Sequence, residues 1–155
     1  MALLKALKPE AKYDEGHILR EHNTSNNRIS ATDITDGLAS ELHEMKRDGL
    51  GFMIYEEMLE ISDEYKHLAE KLNLDYLDLL LHVGEDFELV FTISEDNLKN
   101  LSIDYKVIGK AVEKTTNEIP VANEGKQYVD SAYTVGRKDI KNVTTYDITN
   151  RNICI

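Results

Sequence analysis

Asp33 and Asp36 are the residues whose type and spacing first suggest chemistry. They lie in the stretch Ala31-Thr32-Asp33-Ile34-Thr35-Asp36-Gly37-Leu38-Ala39. Two carboxylates this close would repel a phosphate by themselves. With a magnesium ion between them they hold a metal–phosphate ligand, because magnesium prefers oxygen ligands and bridges phosphates. Asp36 also reads as the N-cap of a following helix, and the two roles are compatible. Asp33 is harder to explain structurally, since it sits in a predicted strand and strands are depleted in aspartate.

A strand that turns abruptly into a helix must position this pair. Ile29 to Ile34 reads as the strand, and Leu38, Leu42 and Met45 form one apolar helical stripe behind it. Such a corner points backbone N–H groups outward, and the helix dipole favours anions there. The helix is expected to stop near Asp48-Gly49. Gly51 to Tyr55 reads as a strand. Ser62 caps a helix carrying Tyr65, Leu68, Ala69 and Leu72, and Asp75 caps a second, Tyr76 to His82, dense enough in leucine to be buried on more than one side. Phe87 to Ile93 alternates like a strand with one buried face, Phe87, Leu89, Phe91 and Ile93. Ser94 caps a short helix with Leu98 and Leu101. Tyr105 to Val112 is another strand, with a bulge at Gly109. Towards the ends, Ala2 to Leu7 and Asp14 to His22 are helix candidates, Asn123 to Lys126 is a turn, and Val143 to Ile148 is an edge strand or ordered tail. Strands alternating with helices predict an α/β or α+β sandwich of one sheet and packed helices.

The 155 residues fit one domain, and 41% hydrophobic with 30% charged residues is a globular composition. A formal net charge of −11 argues against nucleic acid and anionic membranes as partners. It also means that a phosphorylated substrate needs divalent metal to screen it. The single cysteine, Cys154, cannot form an internal disulfide, so a reducing cytoplasm is the expected compartment. No run is long and apolar enough to span a bilayer, and the N-terminus lacks a signal-peptide core. There is no phosphate loop of the G-x-x-x-x-G-K-[ST] type, and Gly49 and Gly51 do not form a dinucleotide fingerprint. His43-Glu44 has no second histidine four positions after His43, and one cysteine cannot build a structural zinc site.

Two longer motifs carry a family resemblance. Asp33-Ile34-Thr35-Asp36-Gly37-Leu38-Ala39-Ser40-Glu41-Leu42 resembles the D-[IL]-S-D-G-L-x-x-D-L signature of thiamine-monophosphate kinases. Val83-Gly84-Glu85-Asp86-Phe87-Glu88-Leu89-Val90-Phe91-Thr92 resembles that family's G-G-E-D-Y-E-L-L-F-T. Their order and spacing fit as well, as do Leu7-Lys8-Pro9-Glu10 upstream and Val107-Ile108-Gly109 downstream. The likeness runs from about Leu7 to Tyr133 and covers only the second half of that enzyme. It implies the C-terminal fold of the aminoimidazole-ribonucleotide-synthetase-like superfamily. That fold is α+β, in α/β/α layers: a mixed sheet with helices on both sides, loosely ferredoxin-like. The implied division is a linker over 1–10, a core over 11–142 and a tail over 143–155, with the N-terminal ATP-binding domain absent.

The resemblance implies roles for matching positions. Asp33 and Asp36 would bind magnesium. Thr35 replaces a serine whose hydroxyl contacts ATP, and the swap keeps the hydroxyl. Glu85 would contact thiamine monophosphate; without the resemblance, Glu85-Asp86 reads as a solvated turn. Tyr133 falls where an aromatic stacks on thiamine, although no His-Phe follows it as in the family's G-[WY]-x-H-F ending. Val83 replaces the first glycine of the second motif. The implied reaction moves the γ-phosphoryl group of ATP onto thiamine monophosphate, giving thiamine diphosphate. The chain would be inactive without its N-terminal domain, through which homodimerisation of the full enzyme chiefly runs. Two other readings stay open: a stand-alone, non-catalytic nucleotide- or protein-binding module, and another ATP-dependent member of the superfamily.

Overall fold

The computed structural model describes residues 9–47, 49–59, 61–85, 87–114, 128–129, 133–136 and 146–155. Helix α1 (Tyr13–His22) is followed by β1 (Ser30–Asp33), α2 (Leu38–Met45), β2 (Leu50–Tyr55), a 3₁₀ turn (Glu56–Met58), α3 (Asp63–Leu72) and α4 (Tyr76–His82). Then come β3 (Leu89–Ser94), α5 (Glu95–Leu98), β4 (Val107–Lys114), β5 (Tyr128–Val129), β6 (Tyr133–Gly136) and β7 (Tyr146–Cys154). The expected helix over Ala2–Leu7 and the expected turn over Asn123–Lys126 lie outside the described residues.

The strands form one sheet in the order β1-β3-β7-β4-β2-β6-β5. Every pairing is antiparallel except β2 with β6, so the sheet is mixed. Helices pack on both faces. On one, Leu38 and Leu42 of α2 and Leu77 and Leu81 of α4 meet Phe52, Ile54, Val90, Ile108 and Ile153 in the main core. On the other, Leu19 of α1 packs with Phe91, Ile93 and Cys154, joined by Leu98 at the end of α5.

Four sequence expectations are corrected. β3 is buried on both faces, because Val90 and Thr92 point into covered space opposite Phe91 and Ile93. Phe87 lies ahead of the strand, with φ 52. Helix α2 ends at Met45 with Lys46 as its C-cap, short of Gly49, which sits in the turn bridging Arg47 to Leu50. From Tyr146 on, the expected edge strand or tail is a central strand: β7 lies between β3 and β4, and Ile153 and Cys154 are fully buried.

The caps at Ser62 and Asp75 form as expected. The Ser62 side chain accepts from Tyr65 N at 3.2 Å, and Asp75 accepts from Leu77 N at 2.9 Å. The Gly109 irregularity is present too, as a register shift between β4 and β7. A Cβ on Gly109 would lie 2.1 Å from Met53 O, so the strands approach closely there. Among the described residues, no helix is long and apolar enough to cross a membrane.

Candidate functional site

The strand–helix corner forms between β1 and α2, but Asp36 does not cap the helix. Gly37 takes the N-cap position with φ 105 and ψ 152, and no side chain caps from there. Only glycine adopts that backbone easily. Gly37 is also wedged against the last turn of α4, where a Cβ would meet Leu81 O at 2.9 Å. This contact starts the helix one residue later than the sequence suggested. It leaves the Asp36 carboxylate exposed, with no protein partner among the described residues. Asp33, at the end of β1, is exposed in the same way.

Glu41, not Asp36, ties the corner together. One of its carboxylate oxygens accepts from Thr35 N at 3.3 Å, Asp36 N at 3.3 Å and Thr35 Oγ1 at 3.1 Å. Its exposure is 7%, on the buried side of α2 beside Leu38 and Leu42. Sequence reasoning missed it. The available signal was an acidic residue inside the apolar stripe, at the position of the motif's last aspartate.

The second motif docks directly onto this corner. Glu85 N donates to Thr35 O at 2.8 Å, Phe87 N to Ile34 O at 3.0 Å, and Ile34 N to Glu88 O at 2.8 Å. The approach is so close that a Cβ on Gly84 would lie 2.0 Å from Thr35 O. Glu85 and Phe87 have φ values of 66 and 52, a left-handed region that non-glycine side chains seldom adopt. Backbone held there costs of order 1–3 kcal/mol per residue and persists where surrounding contacts enforce it. Here the three interloop hydrogen bonds supply those contacts, and the Glu85 side chain is exposed beside the corner.

Lys12, just before α1, braces the loop from outside, with Nζ 3.1 Å from Glu88 Oε2. That hydrogen bond holds the Lys12 ammonium above its ordinary pKa.

Asp33, Thr35, Asp36 and Glu85 are therefore brought together, and Tyr133 is not. Tyr133 opens β6 in register with Phe52 of β2, five strands along the sheet from β1. The grouped residues offer hard oxygen donors: two exposed carboxylates flanking a hydroxyl. That donor set suits magnesium, which takes one or two carboxylates and fills its remaining positions with water and phosphate oxygens. Among the described residues no group of three His, Cys, Asp or Glu side chains is arranged to hold a metal alone.

No family model matches the chain. Curated sequences do. The chain is similar to the thiamine-monophosphate kinase of Pyrococcus horikoshii, with 38% identity over 112 residues, covering 72% of this chain and 33% of that protein. It is also similar to the thiamine-monophosphate kinase of Buchnera aphidicola subsp. Schizaphis graminum, with 41% identity over 104 residues, covering 66% and 30%. Among solved structures, that of AaThiL complexed with AMPPCP and TMP superposes with a TM-score of 0.56 at 25% identity, over 91% of this chain and 39% of that one. The chain thus spans about a third of the length of the curated relatives it matches. With both signature loops folded against each other and that identity extending over most of its length, the chain belongs to the thiamine-monophosphate kinase family.

Proposed function

We propose that this chain is the C-terminal part of an ATP- and magnesium-dependent kinase that phosphorylates thiamine monophosphate to thiamine diphosphate. The observation that carries the reading is the docking of the two loops through Glu85 N and Thr35 O. It sets Asp33, Asp36 and Glu85 at one exposed place. The nucleotide analogue in the AaThiL complex supports ATP as co-substrate.

Asp33 and Asp36 would hold magnesium, which when bound neutralises phosphate charge in a transfer between two anions. The chain's own contribution is positional. The Gly84 and Gly37 contacts fix the corner, and Glu41 ties down its peptide groups. Glu85 projects from a loop that cannot swing without breaking the hydrogen bonds to Ile34 and Thr35. Reacting groups held in line gain most of their rate from such positioning, so no residue here needs to act as a strong base. Tyr133 would stack on thiamine from a separate place, on β6, five strands along the sheet from β1. The remaining nucleotide contacts would come from an N-terminal domain in the two thirds of the relatives' length that this chain does not match. The setting we assign is the cytoplasm.

The test is reconstitution. The chain is mixed with a separately produced N-terminal domain of a relative, ATP, magnesium and thiamine monophosphate, and thiamine diphosphate is measured by chromatography. Diphosphate from the mixture and none from either part alone is the expected result. Failure at every mixing ratio, with both parts folded, would count against the kinase reading and favour a stand-alone binding module.

A further inference from the structure

We propose that Glu41 is a positioning residue that makes the Thr35 hydroxyl an acceptor, and so a ligand for the divalent cation and not a donor to phosphate. The available hydrogens decide the direction of each bond. The amides of Thr35 and Asp36 both converge on Glu41 Oε1, each at 3.3 Å, so that oxygen is an acceptor. Thr35 Oγ1 lies 3.1 Å from the same oxygen, so in this pair the hydroxyl is the donor. A threonine hydroxyl has one hydrogen and two lone pairs. Once the hydrogen goes to Glu41, only lone pairs remain for a ligand. A phosphate oxygen, itself an acceptor, gains nothing from them; a cation does. Burial makes the arrangement durable: Glu41 is 93% covered (7% exposed), on a helix locked into the core by Leu38 and Leu42. Breaking it would also strand two amides beside the core. Asp33, Thr35 and Asp36 would then offer three oxygen donors from neighbouring positions, with Glu41 holding Thr35 and not itself a ligand.

This proposal rests on the corner being a cation site, and the experiment separates the two claims. Manganese(II), an oxygen-seeking paramagnetic stand-in for magnesium, is titrated into the ¹⁵N-labelled full chain. Its affinity is read from the broadening of the Thr35 and Asp36 amide signals, and the Tm of every variant is measured alongside. Loss of broadening in the Asp33→Asn, Asp36→Asn double variant establishes the cation site. Unchanged broadening there overturns the site, and the present proposal with it. Given the site, Glu41→Ala and Thr35→Val should each weaken manganese binding about tenfold, the scale typical of groups that orient a ligand. Combined, the two changes should cost no more than either alone, because they break the same link. Glu41→Gln keeps a carbonyl acceptor in place, and Thr35→Ser keeps the hydroxyl; both should bind within about twofold of the parent. If Glu41→Gln binds as poorly as Glu41→Ala, the carboxylate acts by charge or direct ligation and the proposal fails. It fails equally if Thr35→Val binds like the parent. Should Glu41→Ala not fold, the Gln and Val variants carry the test.

Discussion

At Gly84 the chain has no room for a side chain, since a Cβ would sit 2.0 Å from Thr35 O and 2.8 Å from Thr35 C. Both atoms are backbone, so nothing flexible can yield. Gly84→Ala should force the glutamate loop off the corner and cost about 1–3 kcal/mol, the scale of overpacking. A urea midpoint measures the cost, and faster hydrogen exchange at the Glu85 amide would show that the Glu85–Thr35 bond is the one lost. The motif made glycine look ordinary here, because the sequence says nothing of which backbone it faces. Cys154 is legible only as a lone thiol from sequence. In the fold it is fully buried, and burial pushes its pKa up to about 12. The thiol should therefore resist iodoacetamide at pH 8 in the folded chain and react on unfolding. A raised thiol pKa gives stability that is complete below the unfolded value of 9.0 and lost as pH rises towards 12. Lys12, raised by Glu88, adds loss of the same sign above 10.5. Urea midpoints should fall across pH 9 to 11, and Cys154→Ala should flatten the first part of that fall.

Elements divide into those capped as the sequence indicates, α3 and α4, and two that are not: α2 behind Asp36, and α5, where Ser94 holds the N-cap position without a side-chain cap bond. Ser62 and Asp75 accept the amides expected of N-caps, so Ser62→Ala and Asp75→Ala should each cost about 1 kcal/mol. Asp36 has the right residue type and position yet makes no cap bond. Asp36→Ala should therefore stay within about 0.5 kcal/mol of the parent in urea titration, as at an uninvolved surface position. A loss equal to that of Ser62→Ala would mean that Asp36 caps α2 after all. Local signals mark where a helix can begin. The packing of Gly37 on α4, made by residues more than forty positions away, decides where this one does. β7 makes the same point for strands. Its sequence is polar for most of its length and reads as an end of chain, yet it pairs with both β3 and β4. Deleting 146–155 would leave both neighbours with unpaired backbone edges, and the truncated chain should show no cooperative unfolding by circular dichroism.

For the whole molecule, charge and partial length set the expectations. A net charge of −11, with Asp33 and Asp36 unpaired among the described residues, should make magnesium stabilising beyond its ionic strength. A ligand that binds only the folded state raises Tm in proportion to RT ln(1 + [L]/Kd). Magnesium should therefore raise Tm above an ionic-strength-matched sodium control, and the Asp33→Asn, Asp36→Asn variant should lose the difference. Equal shifts in both variants would reduce the effect to general screening.

The sequence by itself determined the element types around the site, the mixed α+β class and the family, because apolar periodicity, cap residues and long signature motifs are local. It also placed Asp33, Thr35 and Asp36 at a strand–helix corner and Glu85 in a turn ahead of a strand. Only the tertiary structure decided that the corner and the turn bind one another, that Glu41 and not Asp36 closes the corner, that β7 is central and that the strand of Tyr133 lies five places along the sheet from β1. Each of these depends on contacts between residues far apart in the chain. No pattern within a single segment encodes which distant backbone will arrive beside it.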